Sequence, residues 1–121
     1  MAKVLIVDDN HDLLEFFCIL MEKNGFEIRG ASSKTEIDTY LQSFNPDLIM
    51  IDVMLGNEDG REISKNIKLS HNHIPIILLS GNPEALTNLS EYNIDDVIEK
   101  PFTIGTVVSK AQELISKNVY K

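Results

Sequence analysis

Leu48-Ile49-Met50-Ile51-Asp52 is a run of four apolar residues closed by a carboxylate. A continuous apolar stretch this short and this rich in branched side chains reads as a strand buried on both faces. The same figure opens the chain, where Val4-Leu5-Ile6-Val7 runs into Asp8 and Asp9. Strands of that kind belong to parallel α/β sheets, whose carboxyl ends share one edge, and ligands bind at that edge. Three acids from distant parts of the chain therefore converge. Such a cluster repels itself unless a hard cation sits among its oxygens. The trio reads as a Mg²⁺ pocket with one carboxylate, Asp52, left over for chemistry.

Outward from these two runs, strand and helix patterns alternate to both ends. Leu13, Phe17 and Leu20, with Leu14 and Met21 beside them, set the helical stripe after the first strand. Asn24-Gly25 closes that helix with a left-handed cap, and residues 26–31 form a second strand. Ser33-Lys34-Thr35-Glu36 is a capping box. It opens a helix whose stripe is Ile37, Leu41 and Phe44, stopped at Asn45-Pro46-Asp47. Ile63 and Ile67 mark a thin third helix, and residues 74–79 a fourth strand with Pro75 near its start. Asn82-Pro83 reads as N-cap and first position of a fourth helix, with Leu86 and Leu89 as its apolar residues and Asn93 as its C-cap. Residues 96–99 form a fifth strand. A last helix begins near Thr103 and places Ile104, Val107, Val108, Ala111, Leu114 and Ile115 on one face. The fold class predicted is α/β: a doubly wound, flavodoxin-like parallel sheet of five strands, order 2-1-3-4-5, with five helices on both faces. Residues 1–121 are read as one domain.

The balance of 11 basic against 19 acidic residues leaves a formal charge of −8, which repels nucleic-acid backbones. No segment approaches the roughly 18–20 apolar residues of a membrane span, and the apolar start at Val4 is broken at Asp8. One cysteine, Cys18, permits no internal disulfide; it reads as a packed, inert thiol in a cytoplasmic protein.

Two more strand ends carry polar groups: Ser80 closes the fourth strand, and Lys100 closes the fifth, just before Pro101. One hydroxyl, one ammonium, three carboxylates and a divalent cation suit a phosphoryl group, whose transfer depends on positioning and charge neutralisation. Asp52 is then the nucleophile that forms an acyl phosphate. His71 and His73 flank Asn72 in a polar loop at the opposite end of a strand, and His11 sits at a helix entry. All three read as surface histidines. The acid pair Asp95-Asp96 precedes its strand and reads as solvated surface.

Asp8-Asp9, Asp52, Asp59-Gly60, Ser80-Gly81 and Lys100-Pro101-Phe102, in this order and at these strand ends, make the chain resemble the receiver domains of bacterial response regulators from Lys3 to about Lys117. The resemblance implies that Asp52 accepts a phosphoryl group from a sensor histidine kinase or a histidine phosphotransfer protein. It implies Mg²⁺ bound by Asp9 directly, by Asp8 through water, and by Asp52 and the backbone carbonyl of Met54. Lys100, Ser80 and Gly81 would engage the phosphoryl oxygens, with a cis peptide before Pro101. Partners, or a second copy in a weak homodimer, would dock on the face of the fourth helix, fifth strand and last helix. The downstream target stays unknown. The chain would be a signalling domain that catalyses its own phosphorylation and dephosphorylation rather than a turnover enzyme, either free-standing or excised from a larger protein.

Two positions depart from the family pattern, and two more are placed to tune the chemistry. Val97 stands where the family carries a switch aromatic, Gly56 replaces a proline in the loop after Asp52, and Met54 and Asn82 flank the attack path. Alternatives are a phosphorelay intermediate, a phosphate-independent interaction module, and a Mg²⁺-dependent aspartyl phosphatase. The last of these needs a second acid two residues after the nucleophile, where Met54 stands. A flavin-binding relative needs a first loop that donates to phosphate, whereas Asp8-Asp9-Asn10 presents negative charge.

Overall fold

In the computed structural model, which describes residues 1–87 and 89–119 (the side chains of 118 and 119 excepted), β1 (Lys3–Val7) buries Val4, Leu5, Ile6 and Val7 completely. So does β3 (Leu48–Asp52) with Leu48, Ile49, Met50 and Ile51. These two pair in parallel, Val7 opposite Ile51, and lie at the centre of the main sheet. β2 (Glu27–Ala31) flanks β1, and β6 (Ile76–Ser80) and β7 (Asp96–Glu99) continue beyond β3. The order is β2-β1-β3-β6-β7, the predicted 2-1-3-4-5 once the two-residue strands β4 (Met54–Leu55) and β5 (Glu58–Asp59) are set aside as a separate hairpin.

Because side chains alternate across a strand, each central strand feeds two cores. Val4, Ile6, Leu48, Met50, Ile77 and Leu79 face α1 (His11–Lys23) and α4 (Ile104–Val119), meeting Leu14, Met21, Val107 and Ala111. Leu5, Val7, Ile49, Ile51, Ile76 and Leu78 face α2 (Lys34–Ser43) and α3 (Gly60–Ser70), meeting Ile37, Leu41, Ile63 and Ile67. Two buried faces explain why these strands read as unbroken apolar runs.

The helix count differs from expectation. Among the described residues there are four α-helices, not five. The stretch predicted as a fourth helix forms two short 3₁₀ turns, Pro83–Leu86 and Leu89–Tyr92, with Asn93 left-handed at φ 58° after the second. Asn82 does cap the first turn, accepting from Glu84 N–H at 3.1 Å. No residue of either turn is fully buried; Ala85, Leu86 and Leu89 pack only partly on the core. A helix of this length draws its stability from a buried face, and this stretch has too little to propagate one.

The first helix also turns differently. Leu14 and Met21 are its buried residues, whereas Leu13 of the predicted stripe is 54% exposed, with Phe16 61% exposed beside it. In the capping box of α2, Ser33 Oγ accepts from Glu36 N–H as expected, but Glu36 reaches back to Ser32 N–H and Oγ, both at 2.9 Å, not to Ser33.

The amino edge of the sheet is tied by ion pairs. Asp95 accepts from Ile76 N–H and from Lys68 Nζ, each at 2.7 Å, and Lys110 binds Asp96 at 3.1 Å. Asp47 accepts from Lys3 N–H at 2.8 Å. The acid pair read as solvated surface is instead paired, because two lysines from α3 and α4 reach it. Cys18 lies against Gly30, and burial pushes its thiol up to about 11. Among the described residues, no helix is long and apolar enough to cross a membrane.

Candidate functional site

The register of the sheet places the strand-end residues in one row. Val7 is opposite Ile51, Asp52 opposite Leu79, and Ser80 opposite Glu99, so Asp8, Asp52, Ser80 and Lys100 line the carboxyl edge. Lys100 Nζ donates to Asp52 Oδ2, and the Lys100–Pro101 peptide is cis. Lys100 N–H donates to Ser80 O at 2.8 Å, joining the lysine's backbone to the hydroxyl-bearing strand.

Each of the three acids is held by one backbone N–H. Asn10 donates to Asp8 Oδ1 at 3.0 Å and Met54 donates to Asp52 Oδ1 at 2.9 Å, both two residues along the chain. Asp9 receives its N–H from Gly56, across the site, at 2.8 Å. Asp8 and Asp52 are 8% and 7% exposed, while Asp9 faces solvent. Burial pushes the Asp8 carboxyl above its usual range, and repulsion from Asp52 adds to this against the Asn10 N–H and Lys100. Negative charge is thus concentrated where a cation would relieve it.

Among the described residues, no three His, Cys, Asp or Glu side chains close on one point tightly enough to hold a metal by themselves. That donor set fits Mg²⁺ nonetheless. The ion keeps several of its waters and takes only one or two carboxylates from a protein, in contrast to the all-protein cages of Ca²⁺ or Zn²⁺.

Gly60 explains why the acidic loop between Asp52 and α3 ends as it does. Its N–H donates to Val53 O at 2.6 Å, and a Cβ there would lie 2.0 Å from Asp52 O. Ser80 Oγ accepts from Asn82 N–H at 3.0 Å and donates to Asn82 O at 3.2 Å, so its hydroxyl is engaged within its own turn. Gly81 is exposed, with room for ordinary contact with Lys100 Cβ. Val97 is partly buried opposite Leu78.

Two features of the site escaped the sequence reading. Arg61 grips both Asp59 oxygens, holding that carboxyl below its usual range; its Nη1 reaches Ala85 O at 3.5 Å and its guanidinium lies 5.6 Å from the Tyr92 ring. It links the acidic loop to the 3₁₀ turns. The second is an apolar groove of about 410 Å³ between α1 and the loop after Lys100, lined by Leu13, Phe16, Phe17, Leu20 and Phe102 and running up to Asp8 and Lys100. Its advance signal was the surplus of apolar residues along α1, with Phe16 beside the Leu13, Phe17 and Leu20 stripe. His11, at the start of α1, and His73 are exposed, and His71 bonds Ser70 Oγ.

The family model described as "Response regulator receiver domain" matches residues 4–112. The chain belongs to that family. It is 31% identical to the CAI-1 autoinducer sensor kinase/phosphatase CqsS of Vibrio cholerae over 89% of this chain and 16% of that protein. It is 30% identical to the virulence transcriptional regulatory protein PhoP of Salmonella typhimurium over 98% of this chain and 54% of that protein. The chain therefore spans about half of one curated relative and a sixth of the other. Among solved structures it matches the response regulator TrrA of Thermotoga maritima in complex with Mg²⁺-BeF, at 26% identity and a TM-score of 0.85, covering 94% of this chain and 99% of that one.

Proposed function

We propose that this receiver is a switch set by Mg²⁺-dependent phosphorylation of Asp52. The observation that carries the reading is the pairing of Lys100 with Asp52 at the sheet edge that also presents Asp8, Asp9 and Ser80. An Asp52 oxygen attacks phosphorus in a phosphohistidine donor; the P–N bond breaks, a P–O bond forms, and the imidazole leaves. Asp9, Asp52 and the backbone carbonyl of Met54 would hold the cation, with Asp8 acting through water. Bound there, Mg²⁺ supplies positive charge to the phosphoryl oxygens. Lys100 neutralises a further oxygen, and Gly81, without a side chain, leaves space beside it.

The output begins at Ser80. A phosphoryl group on Asp52 offers its hydroxyl a charged acceptor, stronger than the neutral Asn82 carbonyl it now bonds. Release of Asn82 loosens the cap on Pro83–Leu86, and Arg61 carries the change to Asp59 and Tyr92. Val97 need not swing, because this route runs through the turns. The relatives' own outputs differ: one is a sensor kinase/phosphatase and the other a transcriptional regulatory protein.

Incubation with a small phosphoryl donor and Mg²⁺ should add one phosphoryl group by intact mass, located on Asp52 by peptide mapping, and a chelator should prevent it. Equal labelling in chelator, or a label on another residue, overturns the reading. The groove beside Lys100 supports a helical, histidine-bearing protein as the natural donor. Phe16→Asp should slow transfer from such a protein about tenfold, as loss of a buried aromatic anchor does, while labelling by the small donor stays unchanged. A matching fall with both donors would place the fault in the site rather than in docking.

A further inference from the structure

The loop between Asp52 and Gly60 is a β-hairpin, and its turn does more than reverse the chain. Met54 pairs with Asp59 and Leu55 with Glu58, leaving Gly56-Asn57 as a two-residue turn. Gly56 has φ 59°, and Asn57 is not among the residues with positive φ. That is the pattern of a type II′ turn, which takes glycine at its first central position. A proline there could neither adopt that φ nor donate an N–H.

The Gly56 N–H points at Asp9 Oδ2, at 2.8 Å and 47 positions away in sequence. Asp8 and Asp52 obtain their N–H donors from residues two positions along their own loops. Asp9 instead takes its donor from the opposite side of the site, so the hairpin completes the set.

We infer that Gly56 is a positioning residue whose N–H holds the Asp9 carboxylate in place for cation binding. This rests on the receiver reading above. A carboxylate offers about four lone-pair sites, so one N–H leaves Oδ1 and the second lone pair of Oδ2 for a metal and its waters. Fixing the rotamer beforehand spares the ordering that an exposed side chain otherwise undergoes on binding. The partial positive charge of the N–H also offsets repulsion between Asp9 and its acidic neighbours.

The test removes that N–H while keeping the glycine's conformational freedom, by replacing the Gly56 amide with an ester through incorporation of glycolic acid. Titration of the full chain with Mg²⁺ alone should show affinity weakened about three- to tenfold, the range for one ordered side chain. Gly56→D-Ala keeps the N–H and favours the positive φ that this turn requires, so its affinity should stay within about twofold of wild type. Independently, the Gly56 amide in wild type should exchange with solvent slowly, and Asp9→Ala should speed exchange about tenfold. Unchanged Mg²⁺ affinity in the ester, equal losses in both Gly56 variants, or an amide indifferent to Asp9→Ala each overturns the assignment. A wild-type chain that binds no Mg²⁺ and takes no phosphoryl group would remove the receiver reading itself, and this proposal with it.

Discussion

Asp52→Asn should reduce phosphoryl incorporation to background while leaving the fold intact. The amide oxygen is a weak nucleophile, and Lys100 is bonded to Asp52 rather than to Asp8 or Asp9, so neither of those carboxylates shares its charge partner. Asn retains an oxygen that can accept from Met54 N–H, so the turn after β3 has no cause to open. Lys100 loses its ion pair, but its side chain is one-third exposed and can rehydrate. The substitution also removes one repulsive charge facing Asp8, so the Asp8 carboxyl should titrate lower than in wild type. Intact-mass labelling and a carboxyl titration by NMR check both halves. Undiminished labelling would assign the chemistry to another residue.

Gly60→Ala should produce the largest loss of stability of any glycine-to-alanine change in the chain. Its Cβ would meet Asp52 O at 2.0 Å, Asp52 C at 2.9 Å and Val53 Cα at 3.0 Å. All three are backbone atoms at the end of β3, so no side chain can rotate away. Overpacking typically costs about 1–3 kcal/mol, and a clash against backbone belongs at the upper end, about 3 kcal/mol. Relief requires the end of β3 to shift, which carries Asp52 away from Lys100, so labelling should fall together with the urea midpoint. A wild-type midpoint would mean that the loop accommodates the methyl without moving the strand. By contrast, Gly56 has only Asp9 Oδ2, at 4.0 Å, near its added Cβ; its constraint is φ alone.

What could be read from residue order alone was whatever depends on short-range pattern. Val4 to Asp9 and Leu48 to Asp52 declare buried strands with acids at their ends because burial on two faces leaves no polar alternation. The convergence of Asp8, Asp52 and Lys100 follows from parallel strands ending at one edge, whereas the strand order was partly implied by the resemblance to receiver domains. The direction faced by α1 did not follow. Leu13, Leu14, Phe16, Phe17, Leu20 and Met21 form two adjacent apolar stripes, and helical period alone cannot say which is buried. Packing against Gly30 and the sheet chose Leu14 and Met21. The stretch from Pro83 to Tyr92 has correct helix-start chemistry at Asn82-Pro83 but too few apolar residues to continue; local capping overstated the element. The Gly56–Asp9 bond and the Arg61 contact to Ala85 join residues 47 and 24 positions apart, and no local pattern encodes either.

The ties along the amino edge have a mechanical consequence. Lys68 and Ile76 share Asp95, Lys110 grips Asp96, and Lys3 leans on Asp47, so that rim of the sheet behaves as an anchored base. Motion started at the opposite rim has little freedom to travel downward through the strands. It is directed sideways, into the stretch between β6 and β7, where no described residue is buried to weigh it down.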